Sequence, residues 1–166
     1  MDEFFALSDV EVAQSPNARY EEYLHSRGKR MTQPKKQLLE HVYSRHEHFD
    51  AESLIVQLPS SGQAGDVGRA TVYRALREFV DAGLLREFKL SGRSVYEHDY
   101  GYPQHDHLHC VKCERLIEFQ SEALLELREA VAREHRFRVR GHRLIISGIC
   151  EECRKKRRRS RKVDRI

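Results

Sequence analysis

The chain has 166 residues, of which 39% are hydrophobic and 34% charged, with a formal net charge of +4. This length suits one ordinary domain or two small ones, and the hydrophobic fraction argues against general disorder. The sequence has no apolar run long enough to span a membrane and no signal-peptide pattern. It therefore predicts a cytoplasmic protein that neither enters a membrane nor is secreted.

The charges are separated along the chain. Residues 154–166 carry nine Lys and Arg against one Asp, whereas residues 1–24 carry six acidic residues against one Arg. The basic run could strengthen phosphate contacts through counterion release, or it could be a solvated end. We predict a flexible acidic N-terminus over residues 1–14 and a disordered basic tail over residues 154–166.

Capping and stop signals predict helices in the N-terminal third. Ser15 followed by proline is typical of a helix start, and Gly28 suits its end. A second helix should begin near Thr32, and a short third one after Asp50. Residues 59–68 hold three glycines and two serines and predict a loop.

Residues 69–80 predict a further helix, whose inward face carries Val72, Leu76, Phe79 and Val80. Gly83 then suits the end of this helix. Two strand-like runs follow at residues 84–90 and 94–97 and predict a hairpin. Helices followed by a hairpin are the order of a winged helix-turn-helix, which we assign to residues 15–99, with the 69–80 helix as the DNA-reading helix.

Composition changes at residues 100–104, which we interpret as a hinge. Residues 105–153 then predict a small α/β domain. It should contain strands within residues 108–119, an amphipathic helix through Leu124, Leu127 and Val131, and a strand pair within residues 137–149. The fold class is thus α+β. Since so small a domain buries little core, we expect a bound zinc ion and a partner subunit to stabilise it.

All four cysteines fall in two Cys-x-x-Cys pairs, Cys110/Cys113 and Cys150/Cys153. Two such pairs supply four thiolates, as a closed tetrahedral zinc site requires. Disulfides or a redox motif are the alternatives, but a thioredoxin-type motif needs one pair beside a βαβ unit. The spacing therefore predicts a structural zinc site.

A second group of candidate ligands lies just before the first cysteine pair. His105 and His107 alternate, so on a strand they would share one face. A lone histidine is more often an ordinary polar residue, but these two lie between the predicted hinge and the zinc-binding turn. Imidazole and carboxylate ligands suit Fe(II), Mn(II), Co(II) or Zn(II).

Taken together, these motifs resemble the ferric uptake regulator family over about residues 17–153. The resemblance does not extend to either end of the chain. It is carried by GRATVYR at residues 68–74, SVYE at 94–97, HDHLHCVKC at 105–113 and IEF at 117–119.

The resemblance implies a homodimeric, metal-dependent transcriptional repressor with an N-terminal winged helix and a C-terminal dimerisation domain. It implies an operator DNA partner, which we expect to be A/T-rich and palindromic, and no small-molecule substrate. It also implies structural Zn(II) and a regulatory Fe(II), for which Mn(II), Co(II) or Zn(II) could substitute. The regulatory ligands that it implies are His48, Glu97, His105, His107 and Glu118.

The family often has a further metal site of His, Asp, Glu and His. The matching positions here are Gln104, Asp106, Leu125 and His142, so only Asp106 and His142 remain as ligands. Glu122 or Glu126 could complete such a third site.

The resemblance also implies DNA contacts by Thr71 with phosphate, by Tyr73 and Arg74 in the major groove, and by Arg30 in the minor groove. The alternatives are core packing for Tyr73 and an ordinary solvated charge for Arg74. These alternatives stay open at the level of the sequence.

Three classes of function compete. A metal-responsive repressor uses all the motifs, whereas a zinc-ribbon interaction module leaves His105, His107 and Glu118 without a role. An enzyme would need an open metal position beside an acid or base, and no nucleophile elbow, phosphate loop or His-Glu-x-x-His motif occurs. Within the family, zinc sensors tend to have Cys at Glu97 and peroxide sensors Asp at Glu118, so the resemblance favours iron as the signal.

Overall fold

A computed structural model of the chain describes residues 7, 10–45, 47–58 and 67–156. Three predicted segments lie partly outside the described residues: the acidic N-terminus at 1–6, 8 and 9, the loop of residues 59–68 at 59–66, and the basic tail at 157–166. The chain forms two compact units, one over Val10–Tyr102 and one beginning at Pro103. Among the described residues, no helix is both long enough and apolar enough to cross a membrane.

Four helices make up most of the first unit: α1 (Pro16–Ser26), α2 (Gln33–Tyr43), α3 (Ala51–Gln57) and α4 (Arg69–Asp81). The predicted caps explain two of their starts. Ser15 accepts a hydrogen bond from the backbone of Ala18, and Asp50 forms a reciprocal capping box with Ser53. Gly28 has a φ of 65°, which favours glycine after the end of α1.

The core of this unit is built from the inward faces of the helices. Tyr20 and Leu24 of α1 are fully buried, as are Leu76 and Phe79 of α4. The Tyr20 and Phe79 rings meet edge to face, with their centroids 4.9 Å apart. This packing fixes α4 on the other helices and leaves its opposite face exposed.

The hairpin follows as β1 (Leu85–Leu90) and β2 (Arg93–His98), paired antiparallel. Phe49 adds a single bridge to Tyr96, so the segment before α3 lies against the hairpin. Helices followed by this hairpin confirm the winged helix-turn-helix and the α+β class.

Glu78 on α4 is the polar centre of this unit. Its carboxylate accepts hydrogen bonds from the Tyr20 hydroxyl at 2.6 Å, the Lys35 ammonium at 2.7 Å and the Lys29 ammonium at 2.8 Å. Burial alone would raise the pKa of Glu78, but the bonds from Lys29, Lys35 and Tyr20 outweigh it and lower that pKa to about 2. The group therefore stabilises the fold above its unfolded pKa near 4.5, and this contribution is lost as the pH falls towards 2.

We expect Glu78→Gln to lower the free energy of unfolding by about 2 kcal/mol at pH 7, since it removes the charge that both lysines face. The difference from the wild type should shrink between pH 4.5 and pH 2. Chemical unfolding followed by circular dichroism measures it. The control is Glu40→Gln, which removes an exposed helical carboxylate 4.0 Å from Lys36 and should cost less than about 0.5 kcal/mol. Equal losses in the two variants would contradict the role of Glu78.

The second unit holds β3 (Asp106–Cys110), β4 (Leu116–Phe119), α5 (Glu122–Glu134) and β5 (Ile145–Gly148). The strand order is β4-β3-β5, with β4 antiparallel and β5 parallel to β3. A helical segment occupies residues 151–156. The sheet thus places the second cysteine pair directly after β5.

The prediction of two strands within residues 137–149 is wrong for its first half. Residues 137–144 contain no strand, and β5 is the only strand in the range. The segment carries three arginines, whose charges favour contact with solvent: Arg138, Arg140 and Arg143. Phe137 at its start is 70% exposed. Both edges of β3 are also already paired.

The first unit, Val10–Tyr102, includes residues on both sides of the range 15–99 assigned to the winged helix. Tyr100, assigned to the predicted hinge, donates a hydrogen bond to the backbone carbonyl of Gln14 at 2.9 Å. The Arg19 guanidinium lies over the Tyr100 ring, 4.6 Å from its centroid. Residues near Gln14 and Tyr100 therefore belong to the folded unit.

Candidate metal centres and DNA-reading surface

The four cysteine sulfurs form one cluster in the second unit. All four Sγ atoms lie within 4.8 Å of one another, and those of Cys113 and Cys150 are 3.8 Å apart. Cys110 ends β3 and is paired in register with Gly148 at the end of β5. This parallel pairing brings together two cysteine pairs that are far apart in sequence.

The cluster fits a tetrahedral zinc ion. With zinc–sulfur bonds of about 2.3 Å, the sulfurs of a tetrahedron are roughly 3.8 Å apart, as Cys113 and Cys150 are. Backbone N–H groups, first that of Cys150 and then those of Cys113 and Lys112, lower the pKa of Cys110 to about 6. The Cys153 thiol in turn donates hydrogen bonds to the other sulfurs, first to that of Cys150, and this raises the pKa of Cys153 to about 12. Zinc would release the shared protons and bind four thiolates.

A second group of ligand atoms lies on the opposite half of the same sheet. His105, His107 and Glu118 offer donor atoms within 4.8 Å of one another. His107 faces Glu118 across the β3–β4 pair, and the His105 and His107 ring centroids are 4.8 Å apart. Both histidines are buried, so their imidazoles have little access to water. His105 and His107 were candidates from their alternation, and the family resemblance implied all three as ligands.

The hydrogen bond of His105 defines which nitrogen is available as a ligand. Its Nδ1 lies 2.8 Å from the carbonyl oxygen of Pro103, which can only accept. Nδ1 therefore carries a proton, and in the neutral imidazole Nε2 has the lone pair. Nε2 is 3.8 Å from Oε1 of Glu118. A backbone carbonyl that orients an imidazole in this way is typical of metal-binding histidines.

The other two predicted regulatory ligands meet in the first unit. His48 Nε2 lies 3.2 Å from Oε2 of Glu97, whose carboxylate is only 4% exposed. Arg86, opposite Glu97 in the hairpin, approaches its other oxygen at 3.8 Å and also pairs with Asp99. An imidazole and a buried carboxylate are suitable metal ligands, and Arg86 compensates the Glu97 charge in the metal-free protein.

Asp106 and His142 of the predicted third site are hydrogen-bonded to each other and to other protein groups. Asp106 accepts from His142 Nε2 at 3.1 Å and from the backbone of Leu144 at 3.0 Å. The Arg128 guanidinium lies 3.3 Å from His142 Nδ1, so both imidazole nitrogens have protein partners. Glu122 and Glu126 are exposed on α5. Within the described ranges, groups of three or more candidate ligands form only around the cysteines and His105.

Three of the four predicted DNA contacts, Thr71, Tyr73 and Arg74, lie on α4. Tyr73 is 47% exposed, which excludes core packing for this side chain. Arg74 is exposed on the same helix, and Thr71 near its start is half-buried. Arg30 is exposed between α1 and α2. All four are accessible to a ligand of this unit.

Two further residues of this surface were not predicted. Arg69 begins α4, and Glu52 lies in the first turn of α3; both are exposed and ion-paired at 2.7 Å. Arg69 precedes Tyr73 by one helical turn, so helical spacing could have indicated it. Glu52 comes from another helix, and local sequence gives no signal for it.

The face of the sheet opposite His107 is apolar and exposed. Leu108 of β3 pairs in register with Ile117 on one side and Ile146 on the other. These three side chains are 41%, 39% and 47% exposed. Such a row across a sheet is typical of a surface that packs on another protein.

Residues 26–147 match the ferric uptake regulator family. The chain belongs to this family. Its members are metal-responsive transcription regulators, not enzymes. The chain is 40% identical to the ferric uptake regulation protein of Legionella pneumophila over 132 residues, which cover 78% of this chain and 95% of that protein. It is 34% identical to that of Neisseria gonorrhoeae, over 82% of this chain and 94% of the relative.

Solved structures of the family agree with this assignment. The ferric uptake regulator of Francisella tularensis with iron has a TM-score of 0.66 at 30% identity, covering 76% of this chain and 96% of that one. The regulator of Pseudomonas aeruginosa with manganese has a TM-score of 0.68 at 30% identity, covering 83% and 99%. A zinc-bound manganese uptake regulator has a TM-score of 0.57 at 34% identity, covering 80% and 98%.

Proposed function

We propose that this protein is a homodimeric transcriptional repressor whose affinity for operator DNA rises when Fe(II) binds. One ion would take His105, His107 and Glu118 from the second unit and His48 and Glu97 from the first. Because such an ion holds both units in one arrangement, it would favour the arrangement in which two reading helices fit the operator. The regulator would act in the cytoplasm, where its operators are.

The observation that carries this proposal is the orientation of His105. Its Nδ1–H bond to Pro103 directs Nε2 towards Glu118, beside His107, in a buried position. A zinc-ribbon module without a metal switch has no use for buried imidazoles arranged in this way. The nitrogen and oxygen donors also suit a reversibly bound divalent metal better than the thiol cluster does.

The thiol cluster has the separate role of a structural Zn(II) site. Its closed set of four sulfurs leaves no position for a substrate or a signal. The apolar row of Leu108, Ile117 and Ile146 supports a homodimer formed by the second unit, because two copies would cover this face. We also propose that the regulated genes are those of metal uptake and homeostasis. Fe(II) would be the signal, and Mn(II), Co(II) or Zn(II) could substitute for it.

DNA binding measured without oxygen tests this function. The full-length, zinc-loaded protein is titrated against a duplex that it selects from random DNA in the presence of Mn(II). Fe(II), added alone, should tighten binding at least about tenfold, or 1.4 kcal/mol. A duplex of scrambled sequence and equal composition serves as the control and should show no such response.

Three outcomes distinguish the alternatives. A response to free Zn(II) at far lower concentration than to Fe(II) would identify a zinc sensor. Loss of the Fe(II)-dependent DNA binding on brief exposure to hydrogen peroxide would identify a peroxide sensor. Equal affinity with every metal and with a chelator would contradict a metal-dependent regulator.

A further inference from the structure

The Glu52 carboxylate connects α3 to the exposed face of the reading helix α4. One of its oxygens accepts a hydrogen bond from the Tyr73 hydroxyl at 2.5 Å. Both of its oxygens lie 2.7 Å from Nη2 of Arg69. A single acidic group thus holds two exposed side chains that are one turn apart on α4.

The first turn of α3, which carries Glu52, is held in place by its cap. Glu52 directly follows Ala51 in the first turn of α3, and that turn is closed by the capping box of Asp50 and Ser53. The hydrogen bonds from Tyr73, and then those from Arg69, lower the pKa of Glu52 and keep it ionised. The carboxylate is therefore a fixed acceptor at neutral pH.

The Tyr73 ring has room to adopt other orientations. It forms one wall of an open groove of about 650 Å³ between α3, α4 and the hairpin, whose other walls include Arg77, Arg93 and Tyr96. An exposed tyrosine beside such a space would exchange between rotamers. The bond to Glu52 selects one of them.

Stabilising the fold is a poor explanation for this cluster. Glu52 and Arg69 are 56% and 64% exposed, and an ion pair so open to water contributes little to stability. A carboxylate on a DNA-reading surface would also repel phosphate. Here Arg69 neutralises that charge, so Glu52 can remain at the surface without opposing DNA.

We propose that Glu52 is a positioning residue for DNA reading, which holds the Tyr73 ring in the orientation that contacts a thymine methyl group. This inference rests on the proposed function. It adds that Tyr73 reads thymine, that this reading depends on an acceptor supplied by α3, and that Arg69 compensates the charge of that acceptor.

The experiment compares thymine with uracil, which lacks only the 5-methyl group. Each thymine of the selected duplex is replaced in turn by uracil, and affinity is measured with Mn(II) bound. The wild type should bind at least one uracil duplex about fivefold more weakly. Glu52→Ala should reduce that ratio to near one, whereas Glu52→Gln, which keeps an acceptor oxygen, should retain most of it.

Two controls separate orientation from charge. Glu87→Ala removes another carboxylate from the same groove, one that lies 3.9 Å from Lys89, and should leave the thymine preference unchanged. In a Tyr73→Phe background, which lacks the hydroxyl, Glu52→Ala should have no further effect on the preference. Circular dichroism confirms that each variant is folded.

The inference is overturned if Glu52→Ala weakens binding to thymine and uracil duplexes equally, or if the wild type shows no thymine preference at any position. It is also overturned if Glu52→Ala and Glu87→Ala change affinity alike and leave the preference intact. Failure of the proposed function is a different result, because the wild type would then show no metal-dependent binding to the selected duplex.

Discussion

Replacing Cys110 by serine should release about one zinc ion per subunit and unfold the second unit, because a hydroxyl cannot replace a thiolate in a closed four-sulfur site. Binding of a structural zinc contributes on the order of 10 kcal/mol to the folding of small domains. The second unit has little core to compensate, since the main cluster of buried hydrophobic residues lies in the first unit.

The measurements are zinc content by mass spectrometry and subunit association by sedimentation. The variant should lose both zinc and dimerisation, while helical circular dichroism from the first unit persists. Lys112→Ser changes an exposed residue in the same turn and should retain both. A Cys110→Ser protein that is dimeric and folded without zinc would contradict the structural role.

The second large effect concerns the metal switch. His105→Ala and Glu118→Ala should each abolish the rise in operator affinity with Fe(II), so the ratio of affinities with and without metal falls to near one. The physical reason is that coupling between metal and DNA depends on the metal's preference for one state of the protein. Both variants should keep the zinc, the dimer and the helices, because the cysteine cluster and the core of the first unit are intact.

Fluorescence anisotropy with labelled operator DNA under anaerobic conditions provides the ratio. His135→Ala is the matched control, because it removes an exposed histidine at the end of α5. Linkage supplies a second readout: operator DNA should tighten metal binding by the same factor in the wild type and by none in the variants. A wild-type response in His105→Ala would mean that the sensory ligands lie elsewhere.

Local signals predicted much of the first unit. Ser15, Asp50 and Gly28 act through contacts within a few residues, so their roles can be read from sequence spacing. The bonds to Glu78 could not be predicted in this way, because Tyr20 and Lys35 lie 58 and 43 residues away from it. The same holds for Tyr100, which joins the first unit through Gln14.

Local patterns also predicted some residues of the candidate sites and not others. Each cysteine pair lies within one turn, and His105 and His107 alternate along the chain. The structure brings the two cysteine pairs into one cluster and the two histidines into another. The link from Glu52 to Tyr73 depends on how α3 packs against α4, which no local pattern records. The error at residues 137–144 is of the opposite kind: local sequence predicted a strand there, but the three arginines of this segment favour solvent and Phe137 is exposed.

The short strand β3 carries both His107 and Cys110. A strand of this length is held in place by its two neighbours and by the sulfur cluster at its end. The position of the His107 imidazole therefore depends on the turn that binds zinc. If the proposed function is correct, zinc is acquired during folding and the sensory ion binds only afterwards. We therefore expect newly made protein without zinc to show no response to Fe(II).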